Sequence, residues 1–328
     1  MIDIDGSATL SRYRFRWLEL VPLVAAGAAF FLFPNYLVFA SSILVMAVFV
    51  VSLDLIVGFA GVLTIGHGVF FGIGAYASGL LTFTGWHEPI TGVLFGAAVA
   101  SIVAAISGPF VLRLKHLPLV MVTLALGAIA FEAANKMNWL TGGQDGLQNI
   151  VLAPVLGKFQ WSIRGETAYI YALVWLTVAF VAARVVASSP FGVALQGIRE
   201  NETRMRVIGA PVLSQLVLAY AMSAFLAGIA GALSAQTNAF VSLDVLNLEL
   251  SVFALAMLVL GGIGRLYGAL IGALIYMCVQ YFTQQWNPYY WMISIGLLLI
   301  VVVRFARGGL LGSAASSLAL SPAKAVRK

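Results

Sequence analysis

Tyr36-Leu-Val-Phe-Ala-Ser-Ser-Ile-Leu-Val-Met-Ala-Val-Phe-Val-Val-Ser-Leu-Asp-Leu-Ile-Val57 is apolar along nearly its whole length and carries one charge, Asp54. About 20 apolar residues in a helix cross the ~30 Å hydrocarbon core of a bilayer, so the stretch reads as a membrane span. The rest of the chain reads the same way. Of its 328 residues, 62% are hydrophobic and only 9% charged, with a mean hydropathy of +1.01. A soluble domain carries about 25% charged residues. A chain this apolar lacks the polar surface to cover a core in water, and takes lipid as its solvent.

Apolar runs punctuated by Gly, Pro and charge predict an all-α, polytopic membrane protein with about ten transmembrane helices. They fall at 17–34, 36–57, a glycine-rich stretch at 61–83, 90–112, 118–138, 167–187, 212–236, 249–263, 267–286 and 289–305. Cytoplasmic loops carry the excess of Lys and Arg. Starting with Arg12, Arg14 and Arg16 in the cytoplasm and alternating sides puts all but three of the 18 basic residues inside; only Lys136, Lys158 and Arg164 fall outside. Both termini are therefore expected in the cytoplasm. The domain scheme is a basic N-terminus at 1–16, a transmembrane domain at 17–306, and a small, polar, basic tail at 307–328. Within it, 139–166 is an external (periplasmic) loop and 188–211 a charged cytoplasmic insertion. The apolar run behind the N-terminal arginines could be a cleaved signal, but a second run follows at once after Pro34-Asn35, which favours an uncleaved first span.

Several function classes drop out. The basic residues mark loop ends rather than one face, against nucleic acid as a partner despite the net charge of +6. A lone Cys278 and scattered His67, His87 and His116 give no ligand spacing, so no metal site is expected. No G-x-x-x-x-G-K-[ST] occurs, so the chain has no P-loop for ATP. Gly261-Gly262-x-Gly264 has no strand before it and is no dinucleotide fingerprint. Without a Ser/His/Asp constellation either, the chain is not expected to be an enzyme or to hold a cofactor of its own.

Polar groups inside the spans are the candidate functional residues. Asp54 lies deep in the second span, where a translocation role competes with a structural hydrogen bond at its cytoplasmic end. Glu132 stands four residues before Lys136, as in a helix-surface ion pair. Glycines 58, 61, 66, 68, 72, 74 and 79 interrupt the third stretch; close helix packing accounts for most of them. Thr64 and His67 remain there as candidates, with Asp54, for a translocation path. In the insertion, Pro190 and Gly192 mark a break. Two short helices follow, over Val193 to Ile198 and Glu202 to Ile208, the second closed by Gly209. Spacing alone leaves two readings open: docking on a partner protein, or lying on lipid headgroups.

The insertion's Ser189-Pro-Phe-Gly192, followed by Arg199-Glu-Asn-Glu202 and Gly209, resembles the cytoplasmic loop of branched-chain amino acid permease subunits of the LivM type. Three further blocks resemble the same family in collinear order: Leu53 to Tyr76, Thr141-Gly-Gly-Gln-Asp-Gly-Leu147, and Val259-Leu-Gly-Gly-Ile-Gly-Arg-Leu-Tyr-Gly268. The likeness runs from about residue 40 to 307. Two departures stand out: Arg204 and Met205 replace paired alanines, and Asp54 stands where the family commonly has Asn. The resemblance implies the permease of an ATP-binding-cassette importer for branched-chain amino acids or a related solute. It implies two ATPase subunits that carry ATP-Mg, a second homologous permease subunit, and a periplasmic solute-binding protein, in the bacterial inner membrane. It makes Arg199, Glu200, Asn201, Glu202 and Gly209 the ATPase-coupling loop, and the Thr141 to Gly146 segment part of the outer mouth. Alternatives are a urea, amide or organic-acid permease of the same superfamily, or an ion-coupled secondary transporter using Asp54 and Glu132.

Overall fold

The computed structural model describes residues 21–162, 164–287 and 290–305; the N-terminal segment 1–16 and the tail 307–328 lie outside the described residues. Among the described residues the regular elements are all helical. Those of more than four residues are α1 (Val21–Leu32), α2 (Leu37–Leu53, running on into a π turn, Asp54–Phe59), α3 (Gly68–Phe83), α4 (Pro89–Val111), α5 (Leu117–Lys136), α6 (Glu166–Ser188), α7 (Pro190–Glu200), α8 (Glu202–Val207), α9 (Val212–Asn238), α10 (Leu248–Gly261), α11 (Leu266–Trp286) and α12 (Trp291–Phe305). All but α7 and α8 answer to the stretches expected from hydropathy. Six are long and apolar enough to cross a bilayer: Pro34–Phe59, Pro89–Val111, Leu117–Lys136, Glu166–Ser188, Val212–Asn238 and Leu266–Trp286. The others, α1, α3, α10 and α12, are shorter apolar helices.

The centre of the bundle is α9, which packs on α4, α3 and α2. Glycine makes this approach close enough. A methyl group at Gly231 would run into the carbonyl of Phe71, and one at Gly228 into Ala97 and Ala100. Gly74 faces Gly228, and Gly96 faces Gly74, so α3, α4 and α9 meet backbone to backbone. Lipid tails are as apolar as leucine, so helices in a bilayer gain from such close packing rather than from burying hydrophobic area. Most of the glycines in 58–79 are therefore packing residues. Helix α2 is the most deeply buried span, held between α6, α9 and α11. At the other extreme, only 22% of the span in α5 is buried. Its apolar outer face is suited to lipid.

Two ends of the bundle can be told apart. At one, the loop 112–116, the insertion α7–α8 and the α10–α11 turn come together with the π turn of α2. At the other, Leu147 and Val241 exchange hydrogen bonds of 2.9 and 3.0 Å. The Thr141 to Gly146 block is a fixed turn there. Thr141 Oγ1 donates to the Ala134 carbonyl at 2.5 Å, and a methyl at Gly146 would strike the Val241 carbonyl. Glu132 and Lys136 form the expected pair at 3.3 Å. Both are exposed, so the pair is worth only about 0.3–0.5 kcal/mol.

Candidate coupling site

Helix α2 loses its α-helical register where the carboxylate enters. From Asp54 to Phe59 the turn widens to the π form, and the chain then breaks at Gly61, with φ +73°. A π turn inside a helix recurs at functional sites. Asp54 is fully buried. Its Oδ1 accepts a 2.6 Å hydrogen bond from the backbone N–H of Gly264, in the turn between α10 and α11. Its Oδ2 has no hydrogen-bond partner. The contact is tight because Gly58 has no side chain: a Cβ there would lie 2.7 Å from Gly264 N and 2.8 Å from Asp54 Cγ. Gly58 is in the last turn, where carbonyls have no partner further along the helix. Its oxygen is satisfied from outside, by the Nη1 of Arg199 at the end of α7. The Arg199 stem lies against Gly61, where a Cβ would be 2.6 Å from its Cγ.

Three of the four blocks set apart in the sequence thus close on each other. Nothing in their spacing joined Asp54 to Gly264 or Arg199 to Gly58, since both are long-range and run partly through backbone atoms.

The insertion is built to hold this position. Ser189 Oγ accepts from Gly192 N at 3.3 Å, with Pro190 at the first position of α7. Helix α7 buries Leu195 and Ile198 on its inner face. Asn201 Oδ1 accepts from Arg204 N at 2.9 Å and starts α8. Bonds from Gly209 N to Arg206 O and from Ala210 N to Met205 O end it in a Schellman motif, with Gly209 at φ +86°. Glu202 faces inward, bonding Lys115 Nζ at 2.6 Å and Arg206 Nη2 at 2.7 Å. Burial pushes the Glu202 carboxyl up, but the hydrogen bonds and charges of Lys115 and Arg206 outweigh it and hold it below the ordinary 4.5. The outward face carries Glu200, Thr203 and Arg204, with Val207 82% and Ile208 69% exposed. Of the residues grouped as a coupling loop, Arg199 and Glu202 thus point back into the permease, Asn201 and Gly209 shape the loop, and Glu200 faces out.

Residues 60–67 climb back into the bundle without helical structure, which lipid permits only where protein covers the backbone. Thr64 and His67 lie here, both buried. His67 Nε2 is 3.1 Å from Ser52 Oγ and 3.2 Å from Ser223 Oγ. Those hydroxyls already donate to the carbonyls of Phe49 (2.6 Å) and Ser52 (2.5 Å). They therefore accept from His67, which places its proton on Nε2. The ring stacks on Phe49 at 5.7 Å. His67 thus ties α2, α9 and the start of α3 together. Ser223, one of three serines in α9, gave no sequence signal of this role. The Thr64 hydroxyl has no partner.

A pocket of about 260 Å³ opens elsewhere, between α2, α9, α10 and α11. Ser42, Thr237, Asn238 and Gln280 contribute polar groups to it, and Met257 and Met277 apolar ones. None of Asp54, Thr64 or His67 lines it.

Residues 35–303 match the model of a protein family described as the branched-chain amino acid transport system / permease component. The chain is 27% identical to the high-affinity branched-chain amino acid transport system permease protein LivM of Escherichia coli (strain K12), over 92% of this chain and 75% of that protein. Identity to LivM of Salmonella typhimurium is 26% over the same shares. The permease protein LivH of Escherichia coli (strain K12) is 23% identical, over 80% of this chain and 90% of LivH. No solved structure gives a significant match. With its apolar helices, this match over most of the length makes the chain a multi-pass membrane protein, and it belongs to the family of branched-chain amino acid transport permease components.

Proposed function

We propose that the chain is the permease subunit of an ATP-binding-cassette importer that carries branched-chain amino acids across the bacterial inner membrane. The observation that carries this reading is the two-faced insertion α7–α8. Its inner face is bonded into the π turn of α2 and to Lys115, while its outer face leaves Val207 and Ile208 uncovered. Large apolar side chains exposed beside charges on the outer side of a helix pair packed at the end of the bundle suit a protein partner. That partner is an ATPase, one of two, whose bound ATP-Mg supplies the energy.

The end bearing α7–α8 is cytoplasmic, and the Leu147–Val241 end faces the solute-binding protein. A second homologous permease subunit completes the membrane unit, surrounded by lipid. The pocket between α2, α9, α10 and α11 supplies hydroxyl and amide groups above methionines, a lining suited to a small solute with an apolar side chain. The chain's own work is mechanical: it forms and relieves contacts as the motor closes, and switches which side the path opens to.

The test is co-purification from the native membrane in mild detergent. Wild type should retain a chain bearing G-x-x-x-x-G-K-[ST], and the Val207→Asp/Ile208→Asp variant should lose it while staying monodisperse. If no ATPase accompanies the wild type, and the chain alone moves solute in proteoliposomes, an ion-coupled transporter replaces this reading.

A further inference from the structure

The π turn of α2 offers Arg199 two acceptors and fills only one. The Gly58 carbonyl is taken by Arg199 Nη1. One turn earlier on the same face, the buried carboxylate of Asp54 uses Oδ1 for Gly264 N and leaves Oδ2 with no partner. A buried carboxylate oxygen left unpaired is costly, and such atoms in a folded protein ask for an explanation. The two seats are close. The position a Cβ would take on Gly264 is 3.1 Å from Arg199 Nη1, and the N–H of the same Gly264 is 2.6 Å from Asp54 Oδ1. Arg199 is free to exchange them, because its side chain is exposed and its guanidinium has five donors in a planar fork. Gly58, Gly61 and Gly264 lie against Asp54 or Arg199, so none of these three positions puts a side chain between the seats.

We propose that Arg199 and Asp54 are the receiving contact of the coupling stroke: displacement of α7 moves the Arg199 guanidinium from the Gly58 carbonyl onto the free oxygen of Asp54, and so shifts the π turn of α2 against the α10–α11 turn. Both are positioning residues that act through α2 and touch no solute. The proposal rests on the importer reading. It goes beyond it by naming the pair through which motion of α7–α8 enters the bundle, and by assigning the charge at position 54 a purpose. A neutral amide there would accept from Gly264 equally well but would not attract the guanidinium.

The test compares Lys and Gln at position 199, in the presence and absence of the carboxylate. The complete transporter is reconstituted with its ATPase, and solute uptake and ATP hydrolysis are measured on the same proteoliposomes. Gln can still donate to the Gly58 carbonyl but carries no charge; Lys keeps the charge. With Asp54 intact, Arg199→Lys should retain uptake per ATP within about threefold, and Arg199→Gln should lose it by tenfold or more with hydrolysis kept. In the Asp54→Asn background the difference between Lys and Gln should vanish. If Gln couples as well as Lys with Asp54 intact, the bond to Gly58 is the whole role and the proposal is wrong. It is equally overturned if the Lys–Gln difference persists once the carboxylate has been replaced by the amide. Should Asp54→Asn fail to assemble, the Lys–Gln comparison beside Asp54 decides alone. Failure of the importer reading looks different: wild-type proteoliposomes then show no uptake dependent on ATP.

Discussion

Gly231 and His67 are buried in the same bundle, and each can be judged by what its replacement would meet. A side chain at Gly231 has nowhere to go, since the Phe71 carbonyl occupies the space. Gly231→Val should cost about 1–3 kcal/mol or more, as overpacking does, read as a lower midpoint of unfolding in detergent. His67→Ala removes a stacked ring and the donor to two serines, an expected loss of about 2–5 kcal/mol. His67→Gln, which keeps a donor, should recover much of it; a Gln variant as unstable as the Ala one would show that the hydrogen bonds to Ser52 and Ser223 contribute little. At this scale the sequence was partly readable. The glycines announced close packing, and Asp54 announced a buried carboxylate with something to bind. The partners were not readable. Gly264 N and the Gly58 carbonyl are backbone atoms present in any sequence, and a serine such as Ser223 looks alike whether it faces lipid, helix or histidine.

The elements with the clearest local signals are the short helices of the insertion. Ser189, Pro190, Asn201 and Gly209 stand where caps and breakers belong, and the structure uses all four. Gly209→Ala should cost about 1–2 kcal/mol, because φ +86° is strained for any residue with a Cβ. The loss is confined to α8 and should appear as faster amide exchange over 204–208 with the bundle amides unchanged. The tie to Lys115 is pH-dependent in a definite direction. The Glu202 carboxyl titrates lower in the folded chain than in the unfolded one, so the tie is at full strength above the ordinary 4.5 and is lost as pH falls through the lowered value. Exchange protection in α8 should therefore stay flat from neutral pH down to about that value, and drop below it. In Glu202→Gln the drop should be absent. Hydropathy also located the ten apolar helices among the described residues, with boundaries off by seven residues at the start of α3 and by fewer elsewhere. It did not show that α2 changes form at Asp54 or that 60–67 re-enters the bundle, because both depend on neighbours distant in sequence.

For the molecule as a whole, alternating the basic residues across successive spans predicts a sidedness that the packing supports internally. Lys115, Arg199 and Gly264 gather at one end, Leu147 and Val241 at the other. Which end faces the cytoplasm can be read by labelling. In a Cys278→Ser background, Lys158→Cys should react with an impermeant maleimide in intact cells, and Thr203→Cys only after the membrane is opened. The reverse pattern would invert the topology and remove the ATPase from α8. The fold carries a further consequence for biosynthesis. Helices α3 and α4 leave the ribosome well before α9, the helix whose glycines complete their packing. At roughly 5–20 residues per second, that wait is on the order of ten seconds. Through it, α3 must be held against α2 and α4 by the insertion machinery or by its neighbours, being too short and glycine-rich to settle in lipid unaided. The centre of the permease is thus completed well after its neighbours are made, and a ribosome stalled before residue 212 would leave a groove in the membrane where α9 belongs.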